Sequence, residues 1–231
     1  MAYPHPVYRF LDSDAALKTV VAREFRVGRL SSFNDPFEWQ LGGSGTTPEE
    51  RMSLDEYRRE HPAWSDSWMG ILCFSGRISD PVLWSLYADK HRGVAFEVRY
   101  AWKDDELHKM TYSNDRPKLD PDRMRGLCSA EDRVEYLKTL LKDLMHRKSL
   151  GWSFEQEYRM FVDVNDSKHC RLSSDGWHYW QIPQNFLSQV ILGFRCPLGE
   201  SGVRRLLDMN GLVDTKVTRA EKCTETYAIK C

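Results

Sequence analysis

The stretch WSFEQEYRMF, residues 152–161, places Glu155 and Glu157 one residue apart and Arg159 two further on, among Phe154, Tyr158, Met160 and Phe161. The apolar and aromatic members predict an extended segment. Side chains of a strand alternate between its faces, so Glu155, Glu157 and Arg159 are expected on one face, opposite Phe154, Gln156, Tyr158 and Met160. Such a charged face must meet water, a partner or a ligand.

Upstream of this segment, residues 130–150 carry Val134, Leu137, Leu140, Leu141, Leu144 and Met145 at helical spacing and predict the longest helix of the chain. WMGILCFSG (68–76) is an uninterrupted apolar run of strand length, as a buried central strand requires. DPVLWSLYADKHRG (80–93) predicts a helix with Pro81 in its first turn and Gly93 after its end, followed by the alternating strand VAFEVRY (94–100). HKMTYS (108–113) and VYRF (7–10) are shorter strand candidates. Between them, Asp12 or Ser13 caps a helix whose stripe includes Ala16, Val20 and residues 22–25, with Gly28 as its stop. Asn34-Asp35-Pro36 is the strongest turn signal. Residues 40–67 shift to Gly, Ser, Thr and charge, which reads as a surface insertion holding a short amphipathic helix over 48–59. Downstream, WHYWQIP and SQVILGF predict strands, GESGVRRLLDMNG a helix closed by Gly211, and residues 215–230 a strand pair. Short strands interleaved with helices point to a single α+β domain with a mixed sheet.

The 231 residues are 41% hydrophobic and 29% charged, as in an ordinary globular protein, which excludes a disordered or fibrous chain. Lys+Arg of 33 against Asp+Glu of 34 gives a formal charge of −1, so no global field draws nucleic acid or an anionic membrane, although a local patch stays open. No signal-peptide pattern and no run of about 18 apolar residues is present, so a cytoplasmic protein with no membrane partner is expected. The six cysteines form no CxxC pair and read as free thiols.

Two carboxylates lining a cleft could stabilise the oxocarbenium-like state of a glycosyl transfer and activate an acceptor as general base. Their like charges are expected to raise each other's pKa. The alternative is a solvated strand face with Arg159 as ion-pair partner. Arg9, flanked by Tyr8 and Phe10, could hold a phosphate or a nicotinamide-ribose moiety, or serve as a structural ion pair. Ser75 ends the apolar strand and could bond a ligand or a site glutamate, or simply begin a turn. Trp84 and Tyr87, three apart on a helix, could offer flat surfaces to a heterocycle or pack in the core. Lys148 and Trp152 flank the glutamate-bearing segment. Asn34 and Asp35 read as turn formers, and the seven histidines show no metal-ligand spacing.

In their order along the chain, YRF, RLSSFNDPFE (29–38), ILCFS (71–75), LWSLYADKHRGVAFEV (83–98), KSLGWSFEQEYRMF (148–161) and VILGF (190–194) resemble a bacterial family known as domain of unknown function 2971. These pieces reach nearly from end to end. That family is similar to ADP-ribosyltransferases, and the resemblance implies a split, mixed β-sheet gripping NAD, with an arginine on the first strand, a serine on a central strand and an ExE pair. Here those are Arg9, Ser75 and Glu155-Gln156-Glu157, although Ser75 stands in CFSG and not in a Ser-Thr-Ser run. Glu157 is then expected to bind the nicotinamide ribose and stabilise the oxocarbenium ion, Glu155 to position or deprotonate the acceptor, and Tyr8, Trp84 and Tyr87 to line the NAD site. The implied protein is a toxin or phage-defence effector that modifies a protein or nucleic acid, with an antitoxin or immunity partner. Three other readings compete: an NAD glycohydrolase; a metal-dependent nuclease built on Asp35, Lys148, Glu155 and Glu157; and a non-catalytic nucleotide-binding module whose ExE face is a salt-bridge ladder.

Overall fold

The structure, a computed structural model, describes residues 5–43, 45, 47–103 and 106–231. It opens on strand β1 (Val7–Leu11), helix α1 (Ser13–Ala22) and strand β2 (Glu24–Arg26). Asp12 caps α1 by accepting from the Ala15 amide at 2.7 Å. The helix stops well short of Gly28: Arg23 takes φ 55° and turns the chain into β2. Ala22 is the last helical residue, so residues 23–25 do not continue the stripe, and Phe25 is buried as a strand residue instead.

A 3-10 turn (Leu30–Ser32), helix α2 (Pro48–Asp66) and strand β3 (Met69–Ser75) follow. The helix is longer than the 48–59 expected, because it continues through Pro62. Proline has no N–H to give the carbonyl four residues back. The Gln40 side-chain amide donates to that carbonyl, Arg58 O, at 3.4 Å instead. Nor does the helix stand away from the core: Asp66 accepts from the Leu30 amide at 2.7 Å, and His61 and Ser65 are buried.

Next come α3 (Pro81–Tyr87), β4 (Val94–Val98), β5 (His108–Lys109), β6 (Thr111–Ser113), α4 (Pro121–Gly126), α5 (Ala130–His146), β7 (Arg147–Ser149), a 3-10 turn (Leu150–Glu155) and β8 (Glu157–Asp163). The segment 108–113 is two strands, because β5 pairs antiparallel with β8 while β6 pairs parallel with β7. Helix α5 ends at His146, four residues early, where β7 takes up that pairing. Its apolar stripe is only partly used: Leu144 is buried, whereas Val134, Leu137 and Leu141 are exposed. The chain closes with β9 (Cys170–Leu172), β10 (His178–Gln181), β11 (Leu187–Leu192), α6 (Glu200–Met209), β12 (Lys216–Arg219), β13 (Glu221–Lys222) and β14 (Ile229–Lys230).

Seven strands form one sheet in the order β12-β11-β4-β1-β3-β8-β5, antiparallel except for the parallel pair β11 and β12. The architecture is thus α+β with a mixed sheet. A second sheet, β2-β10-β9, covers the largest apolar cluster, built around Phe25, Phe96, Phe186 and Leu192. One seam positions the site. Strand β1 is paired along its length with β4, and β3 along its length with β8, but β1 and β3 meet only at Tyr8 and Ser75. Among the described residues no helix is long and apolar enough to cross a membrane, and all six cysteines are free.

Candidate functional site

A cleft of about 430 Å³ lies at that seam. Its walls are β1 (Tyr8, Arg9, Phe10), the end of β3 (Cys73, Phe74, Ser75), the inner side of α3 (Leu83, Tyr87), the turn before Pro36 (Phe33, Asn34), and a charged floor containing Lys148, Glu155 and Glu157. The volume falls within the usual range for small-molecule sites.

The floor is a buried network of five ionisable side chains. Arg159, wholly buried, forks onto two carboxylates: Nη1 and Nη2 donate to Glu38 at 2.9 and 2.6 Å, and Nε and Nη2 to Glu157 at 2.7 and 3.0 Å. Lys148 Nζ stands 2.6 Å from Glu155, 3.0 Å from Glu157 and 3.5 Å from Glu38. The Trp152 ring lies beside that ammonium, its centroid 4.9 Å away. Three carboxylates against two cations leave one negative charge when all are ionised. Burial of charge on this scale is tolerated only because every group has partners.

The single charged strand face expected for residues 155–159 does not form. Glu155 ends a 3-10 turn, Gln156 takes φ 43° and only Glu157 begins β8. Glu157 and Arg159 do share a face, yet that face is buried and neutralised, not solvated. Glu155 reaches the same floor from outside the strand. Ser75 holds it there: its hydroxyl donates to the Glu155 carbonyl at 2.5 Å, and the Gly76 amide next to it donates to the Gln156 carbonyl at 2.9 Å.

The two glutamates do not raise each other equally. At Glu157 burial opposes ionisation, but Arg159 and Lys148 outweigh it and hold the carboxyl down to about 2. At Glu155 burial prevails over the pull of Lys148 and of the Tyr87 hydroxyl, and the carboxyl is raised above its ordinary value. Tyr87 donates directly to Glu155 Oε1, and Asn34 Nδ2 lies 3.4 Å from the Tyr87 oxygen. Glu155 is therefore the group suited to exchange a proton, and Glu157 a fixed charge.

Arg9 sits in the seam. Its Nη1 donates to Cys73 O at 3.1 Å and Nη2 to Arg26 O at 2.9 Å, with the Phe25 ring 5.1 Å from its guanidinium carbon. Nε is buried without a hydrogen-bond partner, and no carboxylate pairs with the group among the described residues. Burial pulls its pKa down to about 10. A desolvated cation lacking a counter-charge has the chemistry to accept an anion. Tyr8 lends the cleft its ring, but burial and Glu97, with which its hydroxyl bonds, push it up to about 12.

Trp84 is not in the site. It is fully buried, packs edge-on against Phe10 at 5.2 Å and donates Nε1 to Ile78 O at 2.7 Å. Tyr87, one helical turn on, faces the cleft. The pair thus divides between core and site: the two side chains stand roughly 60° apart around the helix, and Trp84 turns to Ile78 O while Tyr87 reaches Glu155.

No protein family, curated protein or solved structure is found to match this chain. Among the described residues no group of three or more His, Cys, Asp and Glu side chains is arranged to hold a metal ion. The carboxylates a nuclease would need are already engaged by Lys148 and Arg159, and the Asp35 carboxylate accepts from the Phe37 amide at 2.9 Å in its own turn. Two residues escaped sequence reasoning: Glu38 of the floor, and Tyr112 beside it, whose hydroxyl accepts from the Glu157 amide at 2.7 Å. Glu38 ends the RLSSFNDPFE piece of the resemblance, but beside an obvious turn nothing local gave it a role in the floor. A neighbouring cavity of about 290 Å³ lies beyond Lys148, which lines both.

Proposed function

We propose that the protein carries out glycosyl transfer from NAD, as an ADP-ribosyltransferase or, with water as acceptor, an NAD glycohydrolase. The observation that carries this reading is the meeting in one cleft of the unpaired Arg9 guanidinium with Ser75, Glu155 and Glu157. The set supports the reading because it matches the arginine, serine and glutamate pattern expected from the resemblance to domain of unknown function 2971, at a seam where β1 and β3 share a single register pair.

In this reading Arg9 takes a phosphate of NAD, and the rings of Tyr8, Phe10 and Phe33 provide apolar walls. The bond from the ribose C1 to the nicotinamide nitrogen breaks, and its electron pair leaves with nicotinamide. The positive charge left on the ribose is stabilised by the net negative floor, with Glu157 ionised at any working pH. The acceptor oxygen or nitrogen bonds to C1, and its proton passes to Glu155, poised by its raised pKa. Tyr87 and Lys148 hold that carboxylate in place.

Nicotinamide release from NAD by purified protein, with and without cell lysate, tests the reading on wild type, Glu155→Gln and Glu157→Gln. Amide variants are chosen because Glu157→Ala would strip Arg159 and Lys148 of a buried partner and confuse loss of chemistry with loss of fold. Release that both variants abolish is expected. Dependence on lysate separates transferase from glycohydrolase, and release that persists in both folded variants refutes the mechanism.

One observation favours a second reading. The Glu38, Arg159 and Glu157 ladder is a complete structural element in itself, as a nucleotide-binding module without turnover would have. An NAD-induced rise in melting temperature with no nicotinamide released would select it.

A further inference from the structure

The outer face of the small sheet carries chemistry that the cleft does not use. Register sets Arg26, Tyr179 and Arg171 abreast in one row across β2, β10 and β9, while Phe25, Trp180 and Cys170 in the adjoining row are buried beneath it. Just before β10, the Trp177 ring has the guanidinium carbons of Arg26 and Arg29 at 4.6 and 4.5 Å from its centroid. Arg171 lies 5.4 Å from the Tyr179 ring.

The acids on this face are already occupied. Glu24 pairs with Arg171 at 2.6 Å, and Asp175 accepts from the Tyr179 hydroxyl at 2.7 Å. Arg26 and Arg29 have no carboxylate partner among the described residues; Arg29 donates only to the Gly176 carbonyl. Arg26 also lines the cleft, so the row leads into the seam at Arg9.

We propose that this face binds single-stranded nucleic acid and feeds it toward the cleft mouth. Aromatic rings and guanidinium planes on an open sheet face stack with unpaired bases, and unpaired arginines take the phosphates between them. Bases inside a duplex are not available for such stacking, which separates this surface from a plain phosphate binder. A protein partner would have to bring acids complementary to Arg26 and Arg29. The further role of the strand as ADP-ribose acceptor rests on the glycosyl-transfer reading; the binding itself does not.

The test is fluorescence anisotropy, without NAD, using labelled single-stranded DNA, single-stranded RNA and duplex DNA of about 12 nucleotides. Wild type is compared with Arg29→Glu and Trp177→Ala, neither of which lines the cleft. Single strands should bind better than duplex, with a log–log salt slope of roughly −1.4 to −2.1, as two or three phosphates give. Each variant should weaken binding about tenfold or more at an unchanged melting temperature. Absence of binding at low salt, equal binding of duplex, or wild-type affinity in both folded variants would overturn the proposal, as would modification of lysate proteins by a protein that binds no oligonucleotide. NAD turnover is measured alongside, with and without the single strand: turnover without strand binding defeats this inference alone, and strand binding with no turnover in either condition supports it while defeating the cleft chemistry.

Discussion

Lys148 Nζ bridges Glu155 and Glu157, 2.6 and 3.0 Å from their carboxylates, although one glutamate ends a 3-10 turn and the other begins a strand. The lysine lies on β7, the short strand after α5, so three separate elements converge on one ammonium. It is what makes a functional pair of two glutamates that the backbone sends in different directions.

Lys148→Met keeps the length of the side chain and removes its charge. Three buried carboxylates then face one guanidinium, and a loss on the order of 3–5 kcal/mol is expected. The Glu155 carboxyl should rise still further, because Lys148 is the largest influence holding it down. Urea unfolding and a carboxyl-carbon NMR titration read the two effects, and an unchanged Glu155 titration would remove Lys148 from control of the site.

Trp84→Ala should cost about 3–5 kcal/mol, as truncation of a fully buried aromatic does. Its position in the core, with Nε1 committed to Ile78 O, gives no direct contact with a ligand in the cleft. Trp84→Phe should recover much of the stability, leaving NAD affinity near wild type. A large affinity loss in the folded Phe variant would return Trp84 to the site.

What the sequence disclosed and what it hid follow from the range of the forces involved. Period-two patterning and apolar runs are local, so β3, β4 and β11 were legible, as were caps such as Asp12. The boundary at Gln156 was not, because a left-handed residue between two glutamates leaves no mark in hydrophobic alternation. Glu38 and Arg159 are 121 positions apart, and their pairing at 2.6 Å exists only once the segment around Trp39 packs against Phe161 of β8. Trp84 and Tyr87 were both legible as aromatic members of α3, but which faced the cleft depended on where β1 lay. The exposed Val134, Leu137 and Leu141 on α5 show the opposite limit: a helical stripe predicts a helix and does not guarantee a neighbour to cover it.

The glutamates should give stability opposite dependences on pH. Glu157 sits near 2 in the folded protein against an ordinary 4.5, so its contribution is fully present above about pH 4.5 and is lost as pH falls toward 2. That depression corresponds to about 3 kcal/mol. Glu155 is raised, so its contribution is present below the unfolded value and lost as pH rises through the folded one. Unfolding free energies of Glu157→Gln, subtracted from wild type across the acid range, should shrink as pH drops; a difference independent of pH would contradict the ionic role of Glu157.

Tyr87→Phe isolates the hydroxyl that meets Glu155 Oε1 while leaving the ring that walls the cleft. The bond helps hold the Glu155 carboxyl down, so its removal should move the acid limb of any Glu155-dependent pH profile upward. The stability change should be modest, about 1–2 kcal/mol, since the ring remains packed and only one hydrogen bond is lost. Two outcomes separate positioning from packing. If Tyr87 positions the proton acceptor, nicotinamide release falls at neutral pH and recovers partly at higher pH, where more of Glu155 is ionised, with little change in NAD affinity. If the hydroxyl serves only the fold, the melting temperature drops and the shape of the pH profile does not move, and Glu155 is then poised by burial and Lys148 alone.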